Sequence, residues 1–320
     1  MVRPRRWRSH SSCDTEDVLP AIKVGISLPT MADLAPKGFP GIAAGARHVE
    51  QAGLDSVSVS DFIMGNGAPA LEATVALSAA AAVTTRVDLR FSLLVLPLRN
   101  IAWTAAQIGT LQHLSGNRVI LGVGSGGAPG TPFWQAVGAA AEGRNTRLVR
   151  SLELLPGLLA GEETTLPDGT ALTLAPAVPV PPVLVGGNSD NAIRRAARHA
   201  DGWLPSVVSP ATVARGVAKL REAAEEAGRP APSTTVWLHA GLGDEESVRS
   251  ARAAFEKSLV DMYGLSPEEA PLVPIGGSPK EAAERFAAYA EAGADHLDLL
   301  VDGGDWERQV ELIAEARALL

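Results

Sequence analysis

The sequence predicts an α/β fold, a (β/α)8 TIM barrel. Three observations carry that prediction. Eight short β-rich runs alternate with helical patterns along the chain. The repeat fills about 300 residues, the size of one such barrel. No shift of composition divides Ala21–Leu320, so a single domain is expected there, with 1–20 as a disordered N-terminal extension. A doubly wound sheet of two halves is the alternative topology.

The elements follow in order. AIKVGISLP (Ala21–Pro29) reads as a strand, and GIAAGARHVEQAG (Gly41–Gly53) as a helix closed by glycine. DSVSVSD (Asp55–Asp61) is a second strand and ALEATVALSAAAAV (Ala70–Val83) a helix. VDLRFSLLVLP (Val87–Pro97) is a third strand, ended by its proline. IAWTAAQIGTLQHL (Ile101–Leu114) is a helix, and RVILGVG the fourth strand. SGGAPGTPFWQAVG then reads as a loop with two prolines, followed by a helix over Gly143–Gly161. Asp168-Gly169 between two Thr/Leu runs signals a short hairpin inserted after strand four. Strands around Val183, Trp203, Val236 and Leu297 complete the eight, each with helical sequence before the next.

Hydrophobic residues make up 46% and charged residues 20%, enough apolar side chain for a large core. Net charge is −8, from 36 acidic and 28 basic residues; this disfavours nucleic-acid binding and suits a protein acting on a small-molecule substrate. The single cysteine, Cys13, excludes an intramolecular disulfide and cysteine-rich metal sites, in keeping with a reducing cytoplasm. The Arg-rich start MVRPRRWRSH has no apolar segment after it, so a secretory leader is not expected. No uninterrupted apolar run is long enough for a membrane span.

Gly122-x-Gly124-x-x-Gly127 has the spacing of a dinucleotide fingerprint. That fingerprint needs a helix opening at its glycines. Pro129, Gly130 and Pro132 follow at once, and the motif comes after strand four, so the Rossmann reading is rejected. The glycines are expected to let the backbone approach a planar ligand at the C-terminal mouth of a barrel, or to form a tight loop with no ligand. Gly186-Gly187-Asn188-Ser189 lies between a strand and a helix. It reads either as an ordinary capped turn or as a turn whose free amides take a phosphate. Phe62, Met64, Phe133 and Trp134 fall in loops at the mouth, where they wall an apolar substrate pocket or simply pack. His239, near the end of strand seven, is either a pocket residue or a hydrogen-bonded core histidine. No H-E-x-x-H, paired His/Asp cluster or G-x-S-x-G elbow is present, so neither metal nor serine-nucleophile chemistry is expected.

VLPLRNIAWTAAQIGTLQHLSGNRVILGVGSGG and PPVLVGGNSDNAIRRAARHADGWLPS resemble the bacterial luciferase-like monooxygenase superfamily. Its members are barrel flavoenzymes using FMN or the deazaflavin coenzyme F420. The resemblance implies a non-prolyl cis peptide at Ser92-Leu93 under the cofactor ring, with Val95 touching the ring and Asp61 at the edge of the site. It implies that Gly124, Ser125 and Gly126 flank the cofactor, that Gly186, Gly187, Asn188 and Ser189 hold its phosphate, and that the protein is a homodimer. The sugar-phosphate dehydrogenases of the superfamily carry a histidine and a glutamate where this chain has Phe62 and Gly127, and neither of these moves a proton. The expected function is therefore an F420- or FMN-dependent oxidoreductase or monooxygenase working by hydride transfer, with F420 preferred and Arg194 or Arg195 reaching its longer tail. The alternatives are a non-catalytic flavin-binding protein of the same fold and a phosphate-binding barrel isomerase or aldolase, for which Asp302 is the available carboxylate, Lys23 lying at the wrong end of strand one.

Overall fold

The computed structural model describes residues 22–31, 34–127, 129–261 and 264–320. The extension expected over 1–20 lies outside the described residues. Strands β1 (Lys23–Ser27), β2 (Ser56–Val59), β3 (Asp88–Val95), β4 (Val119–Gly124), β7 (Val183–Gly186), β8 (Gly202–Leu204), β9 (Ser233–Leu242) and β11 (His296–Val301) pair in parallel. The β8–β9 pairing closes them into a barrel. The antiparallel pair β5 (Thr164–Thr165) and β6 (Ala171–Leu172) is the hairpin expected around Asp168-Gly169.

Helices α1 (Ile42–Gln51), α2 (Ala73–Ala81), α3 (Ile101–Ser115), α5 (Arg144–Leu159), α6 (Asp190–His199), α7 (Pro210–Glu226), α8 (Glu246–Asp261), α9 (Pro279–Glu291) and α10 (Trp306–Ala318) intervene between strands or close the chain. Side-chain caps fix several starts. The Glu72 carboxylate accepts from Val75 N at 2.7 Å, so α2 begins three residues later than the alanine run suggests. Asn100, Ser189, Ser209, Ser278 and Asp305 cap α3, α6, α7, α9 and α10.

Two elements differ from expectation. The stretch read as a loop contains a short helix, α4 (Pro132–Ala136), because Pro132 occupies the first turn, where its missing N–H costs nothing. A further strand, β10 (Ile275–Gly277), lies against the end of β9 between α8 and α9. Neither changes the barrel, and no helix opens at Gly122, Gly124 or Gly127. Among the described residues no helix is long and apolar enough to cross a membrane.

The barrel interior is divided chemically. Arg90 of β3 donates to Thr235 Oγ1 of β9 at 2.7 Å; these strands are not neighbours, so the bond crosses the interior. With strand side chains alternating, Ser56, Ser58, Arg90, Ser92, His296 and Asp298 share that interior. The Asp298 carboxylate accepts from Ser58 Oγ at 2.7 Å and from Ser92 Oγ, and Ser56 Oγ meets His296 Nε2 at 2.9 Å. Burial pushes Asp298 above the usual carboxylate range and His296 well below the usual imidazole range, the nearby Arg90 charge adding to the latter. The β4–β7–β8 side is instead glycine and leucine: a Cβ at Gly122 would stand 3.0 Å from Leu204, and one at Gly202 2.1 Å from Leu184. The alternate residues, among them Val57, Leu89, Phe91, Val123, Val185, Leu238 and Leu299, pack outward under the helices.

Candidate functional site

The C-terminal ends of β3, β4 and β7 meet around Leu93. The Ser92–Leu93 peptide is cis, where the resemblance implied one, and the β3–β4 register shifts between Phe91 and Leu94. The Leu93 side chain covers two glycines. A Cβ at Gly124 would lie 2.7 Å from Leu93 Cδ1, and one at Gly186 would lie 2.2 Å from Cδ2. Both glycines make room for Leu93. Gly126, at φ +86, leaves space for Trp134, 2.6 Å from its would-be Cβ.

Asp61, expected at the edge of the site, is buried and turned to the protein. Its Oδ2 accepts from Val95 N at 2.9 Å and from Arg99 at 2.5 Å, while Oδ1 takes the second guanidinium nitrogen at 3.0 Å. Arg99 also reaches Glu72 at 3.3 Å. This bidentate pair ties the end of β2 to the end of β3 and holds Val95 at the mouth.

The turn after β7 is equally fixed. Trp203 Nε1 donates to Gly187 O at 2.8 Å, and the Asn188 side chain both donates to Ser206 O (2.9 Å) and accepts from Ser206 N (3.0 Å). Asn188 therefore clasps the turn to the end of β8, whereas Ser189 caps α6. Gly187 sits at φ +125, which L residues with side chains rarely adopt, so a bulky residue there disturbs the backbone before it meets any ligand.

This turn opens into a cleft of about 540 Å³ lined by Ser125, Gly186, Gly187, Ser189, Asn145 and a cluster of cations: Arg144, Arg194, Arg195 and Arg198, with His199 beside them. Among the described residues no carboxylate lines it. Among the described residues none of the four guanidiniums has an acidic group within 4.0 Å. Arg195 and Arg194 donate only to the neutral Asn145 (3.0 Å) and Asn191 (2.7 Å). Arg144 Nε is buried without a partner. Burial pushes His199 below the usual imidazole range, with Arg229, Arg198 and Arg195 adding to the shift against Glu153. In a chain of net charge −8 this is a concentrated positive site shaped for an anion.

The apolar candidates gather beside it. Phe62, Met64 and Trp134 line a small cavity of about 20 Å³ with Asp61, Val95, Leu98, Gly126 and Gly127. Phe133 adjoins it through its N–H, which donates to Met64 O at 3.0 Å. His239 belongs elsewhere in the mouth: its Nδ1 lies 2.7 Å from Asp302 Oδ2. The sequence showed no paired His/Asp cluster, and the structure makes one, because β9 and β11 are neighbours in register His239 to Leu300. Arg99, Arg144, Asn145 and Arg198 are the residues of the site that sequence reasoning missed; Arg99 and Arg198 lay in the two stretches that carried the resemblance, whereas Arg144 and Asn145 lay in neither.

The family model for luciferase-like monooxygenases matches residues 22–296. The chain belongs to this family. Among its relatives is an F420-dependent glucose-6-phosphate dehydrogenase of Beutenbergia cavernae, 32% identical over 285 residues, covering 78% of this chain and 83% of the relative. An F420-dependent secondary alcohol dehydrogenase in complex with an F420-acetone adduct superposes with TM-score 0.77 at 18% identity, covering 93% of this chain and 98% of its own. The oxygenating constituent of 3,6-diketocamphane monooxygenase of Pseudomonas putida, in complex with FMN, does so with TM-score 0.74 at 19% identity, covering 93% and 98%. At those identities the two structures establish the shared barrel.

Proposed function

We propose that this luciferase-like protein is an oxidoreductase that uses coenzyme F420 to exchange a hydride with an uncharged organic substrate. The cationic cleft carries the reading. FMN ends in one phosphate, which the turn at Gly187 and Ser189 suffices to take. The deazaflavin tail extends past its phosphate into further carboxylates, and Arg144, Arg194, Arg195 and Arg198 are aligned beyond the turn with no acidic partner. The orphaned Arg144 Nε fits such an anion. The name of the 32%-identical relative supports the same coenzyme, and the FMN-bound neighbour keeps FMN as the competing one.

On this reading Ser125, Gly187 and Ser189, with the four arginines, hold the tail, while Leu93, Val95, Gly124, Gly126 and Gly186 shape the ring's seat. When bound, F420 supplies a carrier for one hydride. Phe62, Met64, Phe133 and Trp134 keep water from the reacting carbon and favour an apolar substrate. Titration of the purified protein with F420 and with FMN at equal salt tests the proposal. Micromolar or tighter F420 binding is expected, with FMN at least about tenfold weaker, or 1.4 kcal/mol; FMN binding tighter than F420 would reverse the assignment.

We also propose that the protein is a homodimer through α2 and α3. These adjacent helices contain no Asp, Glu, Lys or Arg, and they expose Val75 (70%) and Trp103 (73%). An uncharged face of this kind suits a second copy of itself. Light scattering is expected to show a dimer for the wild type and a monomer for Trp103→Glu; a monomeric wild type would refute the assignment.

A further inference from the structure

We propose that His239 and Asp302 form the acid–base dyad that moves the substrate's hydroxyl proton. The inference rests on the hydride-transfer reading above. It answers a gap in that reading: Phe62 and Gly127 supply no proton-moving group on the β2–β4 side of the mouth.

Thr235 faces the interior, because Arg90 reaches it across the barrel. His239 lies four residues further along β9 and faces the same way, at the C-terminal end where the mouth opens. Asp302 follows β11, its N–H bonded to Ala240 O at 2.8 Å. Gly241 is required for this closeness, since a Cβ there would stand 2.8 Å from Asp302 O. The carboxylate takes His239 Nδ1 at 2.7 Å, and among the described residues neither side chain has another hydrogen-bond partner. Asp302 thus holds the proton on Nδ1 and leaves Nε2 as an acceptor.

The ring is fixed on both sides. Phe255 of α8 stacks on it at 3.7 Å and 18°, and Trp237 meets it edge-on at 5.0 Å and 86°. Because His239 points into the mouth, this stacking lays α8 against the rim. The side chains of His239 and Asp302 remain 16% and 21% exposed, so the pair is open to solvent. Just beneath, Trp237 Nε1 is buried with no partner.

The step balances for a secondary alcohol. The carbinol C–H bond breaks, and both electrons leave with the hydrogen as hydride for oxidised F420. The O–H proton passes to His239 Nε2 as the carbonyl forms, giving an imidazolium held by Asp302. A solvent proton completes reduced F420, and the imidazolium then returns its proton to solvent. Ketone reduction runs the same sequence backwards. His239 is the catalytic residue here, and Asp302 a positioning residue.

Two measurements test this. Long-range ¹H–¹⁵N NMR on protein without coenzyme, in alkaline buffer, reads the tautomer, with His239→Gln assigning the signal. The wild type is expected to show Nδ1–H with a bare Nε2. Asp302→Asn is expected to shift the population to Nε2–H, and Asp302→Glu to restore the original tautomer. Added cyclohexanol should move the wild-type signal. In the second measurement cyclohexanol reduces F420 on the holoenzyme, followed by loss of coenzyme absorbance. His239→Gln is expected to lose about 10²–10⁴-fold in rate with unchanged F420 affinity. A wild-type Nε2–H tautomer, a signal indifferent to cyclohexanol, or a His239→Gln rate within about threefold of wild type overturns the dyad. Absence of F420 binding would instead defeat the coenzyme reading, and the NMR measurement still decides the dyad.

Discussion

Reversing two charges in the cleft, Arg194→Glu with Arg198→Glu, is expected to weaken F420 binding about 10²-fold while leaving the fold intact. Both side chains are exposed and lie one turn apart on α6, so neither supports the core. Each partly solvated ion pair is worth up to about 1 kcal/mol, and reversal replaces attraction with a similar repulsion. Two reversals therefore remove about 3 kcal/mol, close to two decades in affinity. FMN affinity should change much less, because its phosphate stops at the turn. The salt dependence of F420 binding should flatten in the double variant. Fluorescence titration at two ionic strengths, with circular dichroism as the check on folding, reads all of this. Unchanged F420 affinity in a folded double variant would remove the tail from the cleft.

Asp298→Ala is expected to cost about 3–5 kcal/mol of stability, enough to threaten folding. The substitution leaves the Ser58 and Ser92 hydroxyls without their acceptor and the fully buried Arg90 without the negative charge that acts on it most strongly. Arg90 keeps only Thr235, and its Nε already has no partner. Asp298→Asn should be milder, since it keeps an acceptor and the volume. The pH dependence has a definite sign. Burial raises the Asp298 pKa above 3.8, so between that value and the folded one the folded state holds the extra proton. The contribution of Asp298 is therefore complete in acid and is lost as pH rises through that window, and the stability of wild type relative to Asp298→Asn should fall in step. Urea denaturation across acid to neutral pH measures it. A loss under about 1 kcal/mol for Asp298→Ala would show the interior to be well hydrated.

The barrel was legible because its eight strands are buried on both faces and so read as compact apolar or β-branched runs between helical patterns. β10 was not, since Ile275-Gly276-Gly277 is three residues long and two of them are glycine. α4 was hidden because Pro132 reads as a breaker, although proline in a first turn starts a helix. In the site, the turn at Gly186–Ser189 was visible as strand, glycines and cap. The cleft beyond it was only half visible: Arg194 and Arg195 follow the turn in sequence, whereas Arg144 and Asn145 arrive from α5. His239 and Asp302 lie 63 positions apart and meet only through the pairing of β9 with β11. Arg90 in VDLRFSLL was a signal left unused, a buried cation whose hydrogen-bond partner, Thr235, and whose strongest negative neighbour, Asp298, both come from far along the chain.

The central claim is that the cationic cleft holds an anionic tail beyond the turn at Gly186–Ser189. Comparing the affinity of the wild-type protein for intact F420 with its affinity for the deazaflavin riboside, which has the same ring and no phosphate tail, tests it most directly. Two or three charge-assisted contacts to the tail predict that the riboside binds at least about 10²-fold more weakly. Equal affinities for the two would contradict the account.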